Sequence, residues 1–532
     1  MNARLLASVL LSALLFVSCA DPTPRQVISQ ASPPFSTSTP TRGGTAASDG
    51  PVSVWLTTPD KQFLLANQPG IAFQPDSGAC AALVLCVDSA TRYQQIVGFG
   101  ASLTDTSAYL IAHSTPENQA TIMRAVFDPA QGIGLSFLRQ PIGSSDFSAQ
   151  PYWTYDDVPS SACPMPHMTS DPALLCFSLS KDLALPLLQE ALRLNPQITV
   201  MGSPWSAPAW MKTTGALVGE NNSDGGTLRK DSVNGTPVYQ SYAQYFVKVL
   251  QAYQAAGVPV TLLTIQNEPG AYLVHNPGMN FRPAEQIDFL EHALVPALQQ
   301  AHLHPGILVY DWNYDHNNPS YPYQAFLEAF RGIPASDYFI TGTSVHCYGA
   351  PNDLMPLPTP DQIIGDLYET ECAPNPASSV YAVRPENPLA PIDLVIDGTR
   401  DGARSIVMWN IAENQHRGPR PQGDKGCPCT PLITVETGPD GQPTGKITYN
   451  PEFYMLGHAS KFVLPGAYRI FSSSLEQQGV KNVAFLNPNG SIVLLAHNTT
   501  TAAQTFKVLW NKHSFQETLL AGAVVTLQWA GD

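Results

Sequence analysis

The chain has 532 residues, which is long enough for two or more domains or for one large barrel with a companion domain. Its 42 acidic residues outnumber its 27 basic residues and give a net charge of −15, which argues against nucleic acid or an anionic membrane surface as a partner. Hydrophobic residues make up 44% of the chain, so the composition supports sizeable cores.

The first fifty residues predict export. An apolar stretch from Leu5 to Val17 follows one basic residue and is too short to span a bilayer, whose core needs about 20 residues. We therefore expect residues 1–19 to form a signal peptide. It is similar to a bacterial lipoprotein signal, in which a lipid on Cys19 would be the only membrane attachment, and plain secretion is the alternative. Residues 20–50 are rich in Pro, Ser, Thr and Ala and predict a flexible linker.

The cysteines of an exported chain are expected to form disulfides. The close pairs Cys80/Cys86 and Cys163/Cys176 are predicted bridges. The Cys427-Pro-Cys429 sequence predicts a loop disulfide with partners left open, and a metal site is the less favoured alternative because no CxxC or HExxH run accompanies it. We expect no metal and no cofactor.

Short alternating segments in residues 51–92 predict β-strands. From residue 93 the pattern changes to an apolar strand, a polar tip and a helix, repeated eight times, with predicted helices over Asp182–Leu194, Tyr242–Ala256 and Pro283–Ala301. This pattern predicts an α/β chain with a (β/α)8 TIM barrel over residues 93–462. The predicted strands are Ile96–Ala101, Leu135–Arg139, Ile198–Gly202, Val260–Ile265, Ile307–Asp311, Gly342–His346, Asp366–Glu371 and Ser405–Trp409.

The last segment, residues 463–532, contains strands and turn signals without helices. It predicts an antiparallel side β-sandwich. The strands of residues 51–92 have no other sheet to join, so we expect the sandwich to be built from both the N-terminal and the C-terminal segments.

Two glutamates end predicted barrel strands, where the chemistry of TIM barrels takes place. Glu268 follows the fourth strand in Gln266-Asn-Glu-Pro269, and Glu371 ends the seventh. A pair of carboxylic acids across a barrel mouth suits glycoside hydrolysis, because one protonates the leaving oxygen while the other attacks the sugar or activates water. Glu369 is the rival for the second role, because period-two alternation places it on the same face as Glu371.

Six stretches of the sequence together resemble glycoside hydrolase family 30, which includes glucosylceramidases and bacterial and fungal β-1,6-glucanases. They occur in order from about residue 52 to the C-terminus. The stretches are Gly98-Phe-Gly-Ala-Ser-Leu-Thr-Asp105, Arg139-Gln-Pro-Ile-Gly143, Ser203-Pro-Trp-Ser-Ala-Pro-Ala-Trp-Met-Lys212, Gln266-Asn-Glu-Pro269, Thr370-Glu-Cys372 and Tyr454-Met-Leu-Gly-His-Ala-Ser-Lys-Phe462.

The resemblance implies retaining chemistry with Glu268 as acid/base and Glu371 as nucleophile. It also implies a set of supporting residues around the sugar. Arg139 and Tyr348 would hydrogen-bond Glu371, Asn267 would bind the 2-hydroxyl, Asp105, Trp205 and His346 would hold other hydroxyls, and Trp409 would form an apolar platform.

We therefore expect a retaining, glucosylceramidase-like β-glycoside hydrolase that acts on the β-glucosidic bonds of a β-glucoside, which is a glycolipid or a β-glucan. One alternative is an endo-β-1,6-glucanase, or another family 30 β-glycanase, acting on a β-glucan. An alternative of another class is a non-catalytic surface protein that binds carbohydrate. The sixth strand reads His346-Cys347-Tyr348 where lysosomal glucosylceramidase has tryptophan in the middle, so the leaving group stays open, as does the oligomeric state.

Overall fold

A computed structural model describes most of the chain beyond the predicted leader and linker. The described residues are 51–81, 83–158, 174, 176–219, 225–233, 235–270, 275–314, 323–348, 358, 360–373, 381–421 and 429–531. The predicted signal peptide, the linker and Cys163 lie outside these ranges. Within them, every helix is too short or too polar to cross a membrane.

Among the described residues, four strands precede the barrel, and eight parallel strands then close it in the order β10-β11-β12-β13-β14-β5-β6-β7. All eight predicted barrel strands are confirmed, with small differences at their ends. The strands up to β14 are β1 (Val52–Thr57), β2 (Ala66–Ile71), β3 (Gln74–Pro75), β4 (Val84–Gln95), β5 (Gly98–Ser102), β6 (Phe137–Pro141), β7 (Thr199–Ser203), β8 (Ser232–Val233), β9 (Thr236–Pro237), β10 (Val260–Thr264), β11 (Gly306–Asn313), β12 (Ile340–His346), β13 (Asp366–Cys372) and β14 (Ser405–Asn410).

Large apolar side chains fill the inside of the barrel. They come from six of the eight strands, and their packing closes the barrel interior beneath the mouth. The polar side chains of Arg139, Ser203 and Asp311 follow these residues along their strands, toward the mouth, where a substrate has access. The interior residues are Phe137, Met201, Leu262, Leu308, Tyr368 and Val407.

Helices surround the barrel, and several of them bury an apolar stripe. On α4 the predicted stripe, including Tyr242, Phe246 and Tyr253, is buried. The predicted helix over Pro283–Ala301 contains a π-helical turn, Leu290–Leu294, just before Pro296, which lacks the N–H needed to continue an α-helical ladder. The α-helices are α1 (Asp105–Ala112), α2 (Pro116–Phe127), α3 (Ala184–Leu194), α4 (Val238–Ala255), α5 (Pro283–Phe289), α6 (Val295–Gln300), α7 (Tyr323–Phe330), α8 (Pro391–Arg400) and α9 (Pro451–Ser460).

The segment after the barrel first forms a three-stranded sheet and then the side sandwich. Sandwich strands follow the order β2-β1-β23-β20-β19-β18-β4-β21-β22-β3, so the early strands do join the C-terminal ones. The predicted antiparallel pairing has one exception, because β4 pairs in parallel with β21 and antiparallel with β18. These strands are β15 (Ala412–Glu413), β16 (Ile433–Thr437), β17 (Pro443–Tyr449), β18 (Tyr468–Ser472), β19 (Val480–Leu486), β20 (Ser491–Asn498), β21 (Gln504–Trp510), β22 (His513–Leu519) and β23 (Val524–Ala530).

Buried polar side chains join the barrel helices to the sandwich. His458 on α9 has both ring nitrogens 2.8 Å from threonine hydroxyls, those of Thr57 on β1 and Thr526 on β23. On α8, Asp393 lies 2.6 Å from His497 of β20. Because buried polar groups need partners, these contacts fix how the two parts pack. The Tyr454–Phe462 stretch of the family resemblance is therefore structural in this chain.

Candidate active site

A buried arginine organises the barrel mouth. Arg139, the central residue of β6, has no solvent exposure. Its guanidinium donates to the Glu371 carboxylate, to Asn267 Oδ1 at 2.6 Å, to Asp311 Oδ2 at 2.9 Å and to Ser203 Oγ at 3.3 Å. The predicted contact between Arg139 and Glu371 is therefore confirmed. The Arg139 guanidinium thus links residues at the ends of β7, β10, β11 and β13.

Asp311, on β11, is a site residue that sequence reasoning noted only as a strand tip and gave no role. A β-bulge between Tyr310 and Trp312 and a φ of +51° at Asp311 turn its side chain into the mouth. The ion pair with Arg139 and contacts with His346 hold its pKa well below the ordinary value, against the effect of burial. Its hydrogen-bonding partners are Arg139, Ser203, Thr264, His346 and Thr370.

His346, the last residue of β12, bridges Asp311 and the candidate acid/base. Its Nδ1 lies 3.1 Å from Glu268 Oε1 and its Nε2 lies 3.2 Å from Asp311 Oδ1. Burial alone would lower the pKa of His346. The charge of Glu371 and the contacts of the ring with Asp311 and Glu268 outweigh burial and raise this pKa to about 9. The ring therefore carries both protons at neutral pH and donates to both carboxylates.

Glu268 sits at the rim of the mouth, just beyond the end of β10. Its φ of +43° is uncommon for a non-glycine residue, and strained backbone of this kind occurs often at functional sites. Its backbone N–H donates to the Asp311 carbonyl at 2.9 Å, which fixes the turn. Its side chain is 19% exposed, against 8% for Glu371, so Glu268 is the glutamate with better access to water.

Glu371 is held deeper in the mouth. Arg139 pairs with one of its carboxylate oxygens, and the Tyr348 hydroxyl donates to the other at 3.0 Å, as the family resemblance implied. Burial raises the pKa of Glu371, while the positive charges of His346 and Arg139 act in the opposite direction. One oxygen of Glu371 and one oxygen of Glu268 lie within 4.8 Å of each other. This upper bound is compatible with the about 5–5.5 Å between the carboxyl groups of retaining glycosidases and lies below the about 6.5–9.5 Å of inverting ones.

Two tryptophan rings lie beside the carboxylates. Trp205 and Trp409 stack with their ring centroids 5.2 Å apart. The Arg139 guanidinium lies 4.8 Å from the centroid of Trp205 and 5.7 Å from that of Trp409. Together with Phe147, which meets Trp409 edge-on, they give the mouth an aromatic wall. Such rings suit the apolar face of a sugar.

Asp105, predicted to bind a hydroxyl, lies at the start of α1. Its carboxylate accepts hydrogen bonds from the Ala149 N–H at 2.8 Å, the Gln150 amide at 2.9 Å and the Ser148 hydroxyl at 3.3 Å. Burial raises its pKa above the ordinary value. The contacts of Asp105 therefore run to the segment after β6, and its role toward a sugar stays a prediction.

Glu369, the rival nucleophile, does not share the surroundings of Glu371. Its carboxylate lies against Gly398 of α8, where an added Cβ would come within 2.9 Å of it. Thr370, between the two glutamates, is the residue that bonds Asp311 inside the mouth. The bulged register at the end of β13 explains why simple alternation placed the two glutamates on one face. Glu369 therefore faces the helix layer.

Substituting Glu369→Gln is expected to leave turnover intact and to change the pH dependence of stability. Burial raises the pKa of Glu369 to about 8. The charge of His346 acts to lower this pKa, and the charges of Asp401 and Asp397 act to raise it. Between about pH 4.5 and pH 8 the unfolded chain ionises this carboxyl while the folded protein does not, so the free energy of unfolding falls. The glutamine variant should lack this fall. The difference in free energy of unfolding between variant and wild type should therefore shift by a few kcal/mol in favour of the variant between pH 4.5 and pH 8. Urea unfolding at both pH values measures the difference, and parallel curves for the two proteins would contradict it.

Glu268, His346 and Glu371 also bring one potential metal ligand each within 4.8 Å of one another. A histidine that ligates a metal must offer a ring lone pair. The two carboxylate contacts of His346 and its raised pKa favour the doubly protonated ring, which offers none. The cluster is therefore better suited to proton transfer than to holding a divalent ion.

Two disulfides have both of their cysteines among the described residues. The predicted Cys80–Cys86 bridge is confirmed. A Cys347–Cys372 bridge was missed, because its cysteines are 25 residues apart and become neighbours only when β12 and β13 align. Cys176 and Cys429 are also disulfide-bonded.

A TIM barrel whose mouth holds two glutamates at this spacing, with aromatic rings and a buried arginine beside them, defines a glycoside hydrolase. The sequence matches the glycosyl hydrolase family 30 TIM-barrel domain over residues 96–354 and the family 30 beta sandwich domain over residues 466–527. The chain belongs to glycosyl hydrolase family 30.

Relatives with named activities match most of the chain. It is 30% identical to endo-1,6-beta-D-glucanase neg1 of Aspergillus fumigatus, over 80% of this chain and 83% of that protein. It is 27% identical to the lysosomal acid glucosylceramidase of Mus musculus, over 84% of this chain and 83% of that protein. The solved structure of the endo-beta1,6-glucanase BT3312 matches with a TM-score of 0.74 and 25% identity, over 91% of this chain and 100% of that one.

Proposed function

We propose that this protein is an endo-acting β-1,6-glucanase that cleaves with retention of configuration. The observation that carries the mechanism is the pair of carboxylate oxygens, from Glu268 and Glu371, within 4.8 Å of each other in the barrel mouth. In such a pair one group protonates the leaving oxygen while the other forms a covalent glycosyl-enzyme intermediate.

The surroundings of the two glutamates support the division of roles. Glu371 lies deeper and is ion-paired with Arg139, which favours the ionised carboxylate that a nucleophile needs. Glu268 is more exposed and receives a hydrogen bond from His346, which aims it toward the mouth. It can protonate the leaving oxygen and then, once Glu371 is glycosylated, take a proton from the incoming water.

Asn267 is placed to bind the sugar next to the reacting carbon. Arg139 donates to its carbonyl oxygen Oδ1, so its NH₂ group is the end left to donate to a hydroxyl. A hydrogen bond to the 2-hydroxyl strengthens in the transition state and contributes to catalysis. Trp409 and Trp205 form the apolar wall against which the ring would pack.

The choice of substrate is supported by the relatives. A fungal endo-1,6-β-glucanase is 30% identical to this chain, and BT3312, an endo-β1,6-glucanase, matches its fold over 91% of the chain. Glucosylceramide hydrolysis is the second candidate, because the mouse glucosylceramidase is 27% identical over 84% of the chain. We rank the glucan first on these identities.

The two candidates separate in one assay. The purified protein and its Glu371→Ala variant are incubated with a linear β-1,6-glucan, with a β-1,4-glucan as linkage control, and with glucosylceramide in detergent. Short oligosaccharides from the β-1,6-glucan alone are the expected result of chromatography. Glucose released from the lipid alone would point to the second candidate. Identical product profiles from both proteins on every substrate would overturn both.

We further propose that the chain is exported, either lipidated on Cys19 or secreted. The apolar stretch from Leu5 to Val17 and the Pro/Ser/Thr-rich residues 20–50 support this proposal. Labelling a bacterial expression host with a radioactive fatty acid tests the lipid. A Cys19→Ala variant that labels as strongly as the wild type would contradict lipidation at this residue.

A further inference from the structure

The Cys347–Cys372 disulfide includes the residue that follows the candidate nucleophile, Glu371, in the chain. Cys347 is the first residue after β12, Cys372 is the last residue of β13, and their Cα atoms are 5.1 Å apart. Each cysteine is the chain neighbour of a site residue, since Tyr348 follows Cys347 and Glu371 precedes Cys372. The Tyr348 hydroxyl donates to Glu371 Oε1 at 3.0 Å, so the bridge and this hydrogen bond close one small loop of contacts.

Ordinary strand pairing is interrupted where the bridge lies. The β12–β13 register shifts between Val345 and His346, and the β13–β14 register shifts between Glu369 and Cys372. A bulged ladder fixes the direction of its side chains less firmly than a regular one. At this point the Cys347 N–H still donates to the Glu371 carbonyl, at 3.2 Å, and the disulfide adds a covalent link.

We propose that Cys347 and Cys372 are positioning residues for catalysis, whose disulfide holds the Tyr348 hydroxyl on the Glu371 carboxylate and so aims that carboxylate at the reacting carbon. This inference rests on the proposed function of Glu371 as nucleophile. Burial raises the pKa of Tyr348 well above its ordinary value, so the tyrosine keeps its proton and remains a donor. Without the bridge, the strand ends keep the backbone hydrogen bond from Cys347 to Glu371 but lose their covalent link, so they can move apart and the Tyr348–Glu371 hydrogen bond lengthens.

The test is a Cys347→Ser/Cys372→Ser variant, assayed below its unfolding temperature after circular dichroism has verified the fold. A misplacement of about 1 Å in a reacting group can cost about 100-fold in rate, so kcat should fall about 10- to 100-fold. KM should change little, because the loss falls on the transition state and not on ground-state binding. The substrate is the one that the wild type hydrolyses.

A double-mutant cycle with Tyr348→Phe separates positioning from general support of the fold. If the disulfide acts through the tyrosine hydroxyl, the combined variant should be no slower than Tyr348→Phe alone by more than about twofold. If the rate losses caused by Tyr348→Phe and by removal of the disulfide instead multiply, the inference is wrong. The matched control is Cys80→Ser/Cys86→Ser, which removes a disulfide from the sandwich and should leave kcat unchanged.

A second measurement tests the inference on the wild-type protein, in case the cysteine variant does not fold. Dithiothreitol reduces the folded wild type in place; each bridge sulfur gains an electron and a proton, and the reagent becomes its cyclic disulfide. With both thiols blocked by iodoacetamide and located by mass spectrometry, kcat should again fall about 10- to 100-fold. Wild-type kcat without the bridge, in either experiment, would overturn the inference. If Glu371→Ala also retained turnover, the proposed function itself would have failed, and the two failures are thereby distinguished.

Discussion

Replacing Glu371 by alanine is expected to remove turnover almost completely. The substitution deletes the carboxylate that would form the glycosyl-enzyme intermediate, and loss of a covalent nucleophile costs on the order of 10⁶-fold in kcat. Folding should survive, because Arg139 keeps its ion pair with Asp311 at 2.9 Å. Initial rates on the substrate that the wild type cleaves measure the loss.

The matched control for this variant is Glu369→Gln, two residues earlier on the same strand. Its carboxyl lies against α8 and not in the mouth, so its rate should stay within about threefold of the wild type, as for a residue that acts only on stability. Substantial turnover by Glu371→Ala combined with loss of turnover by Glu369→Gln would reverse the assignment of the nucleophile.

Replacing Asp311 by asparagine is expected to damage both stability and activity. The aspartate is 1% exposed and bonds both Arg139 and His346, which in turn contact the two catalytic glutamates. Removing one partner of a buried ion pair typically costs about 3–5 kcal/mol of stability. Displaced Arg139 and His346 would misplace Glu371 and Glu268, so kcat/KM should fall about 100-fold. Urea unfolding and steady-state kinetics measure the two effects.

A surface ion pair provides the control for Asp311→Asn. Glu436 pairs with Lys446 at 2.7 Å, but both side chains are exposed, by 38% and 70%. Exposed pairs contribute at most about 1 kcal/mol, so Glu436→Gln should leave stability and kcat/KM close to the wild type. An Asp311→Asn variant as stable and as active as this control would contradict a central role for the aspartate.

Sequence alone predicted the barrel because its signals are local. Each barrel strand is a short apolar run that ends in a polar residue, and stripes such as that of α4 mark the helices between them. The positions of Glu268, Arg139, His346 and Glu371 followed from the same pattern, because parallel strands of a barrel end on one face. The family resemblance supplied the roles.

The role of Asp311 escaped prediction because the orientation of its side chain depends on a β-bulge. Leu308 points into the barrel, so regular alternation would place Tyr310 inside and Asp311 outside. The bulge, with positive φ at both Tyr310 and Asp311, reverses this order. Tyr310 packs on Tyr323 of α7 and Asp311 enters the mouth. Nothing in the local sequence marks such a bulge, since pairing with β12 creates it.

Azide rescue of Glu371→Ala shows whether Glu371 is the nucleophile of a retaining mechanism. With an activated aryl β-glycoside as substrate, azide should enter the space left by the carboxylate and attack from the face opposite the leaving group. NMR of the product should then show an α-glycosyl azide. The Glu268→Ala variant, which keeps its nucleophile, should instead give the β-azide. A β-azide from Glu371→Ala, or no rescue while Glu268→Ala is rescued to the α-azide, would contradict the assignment.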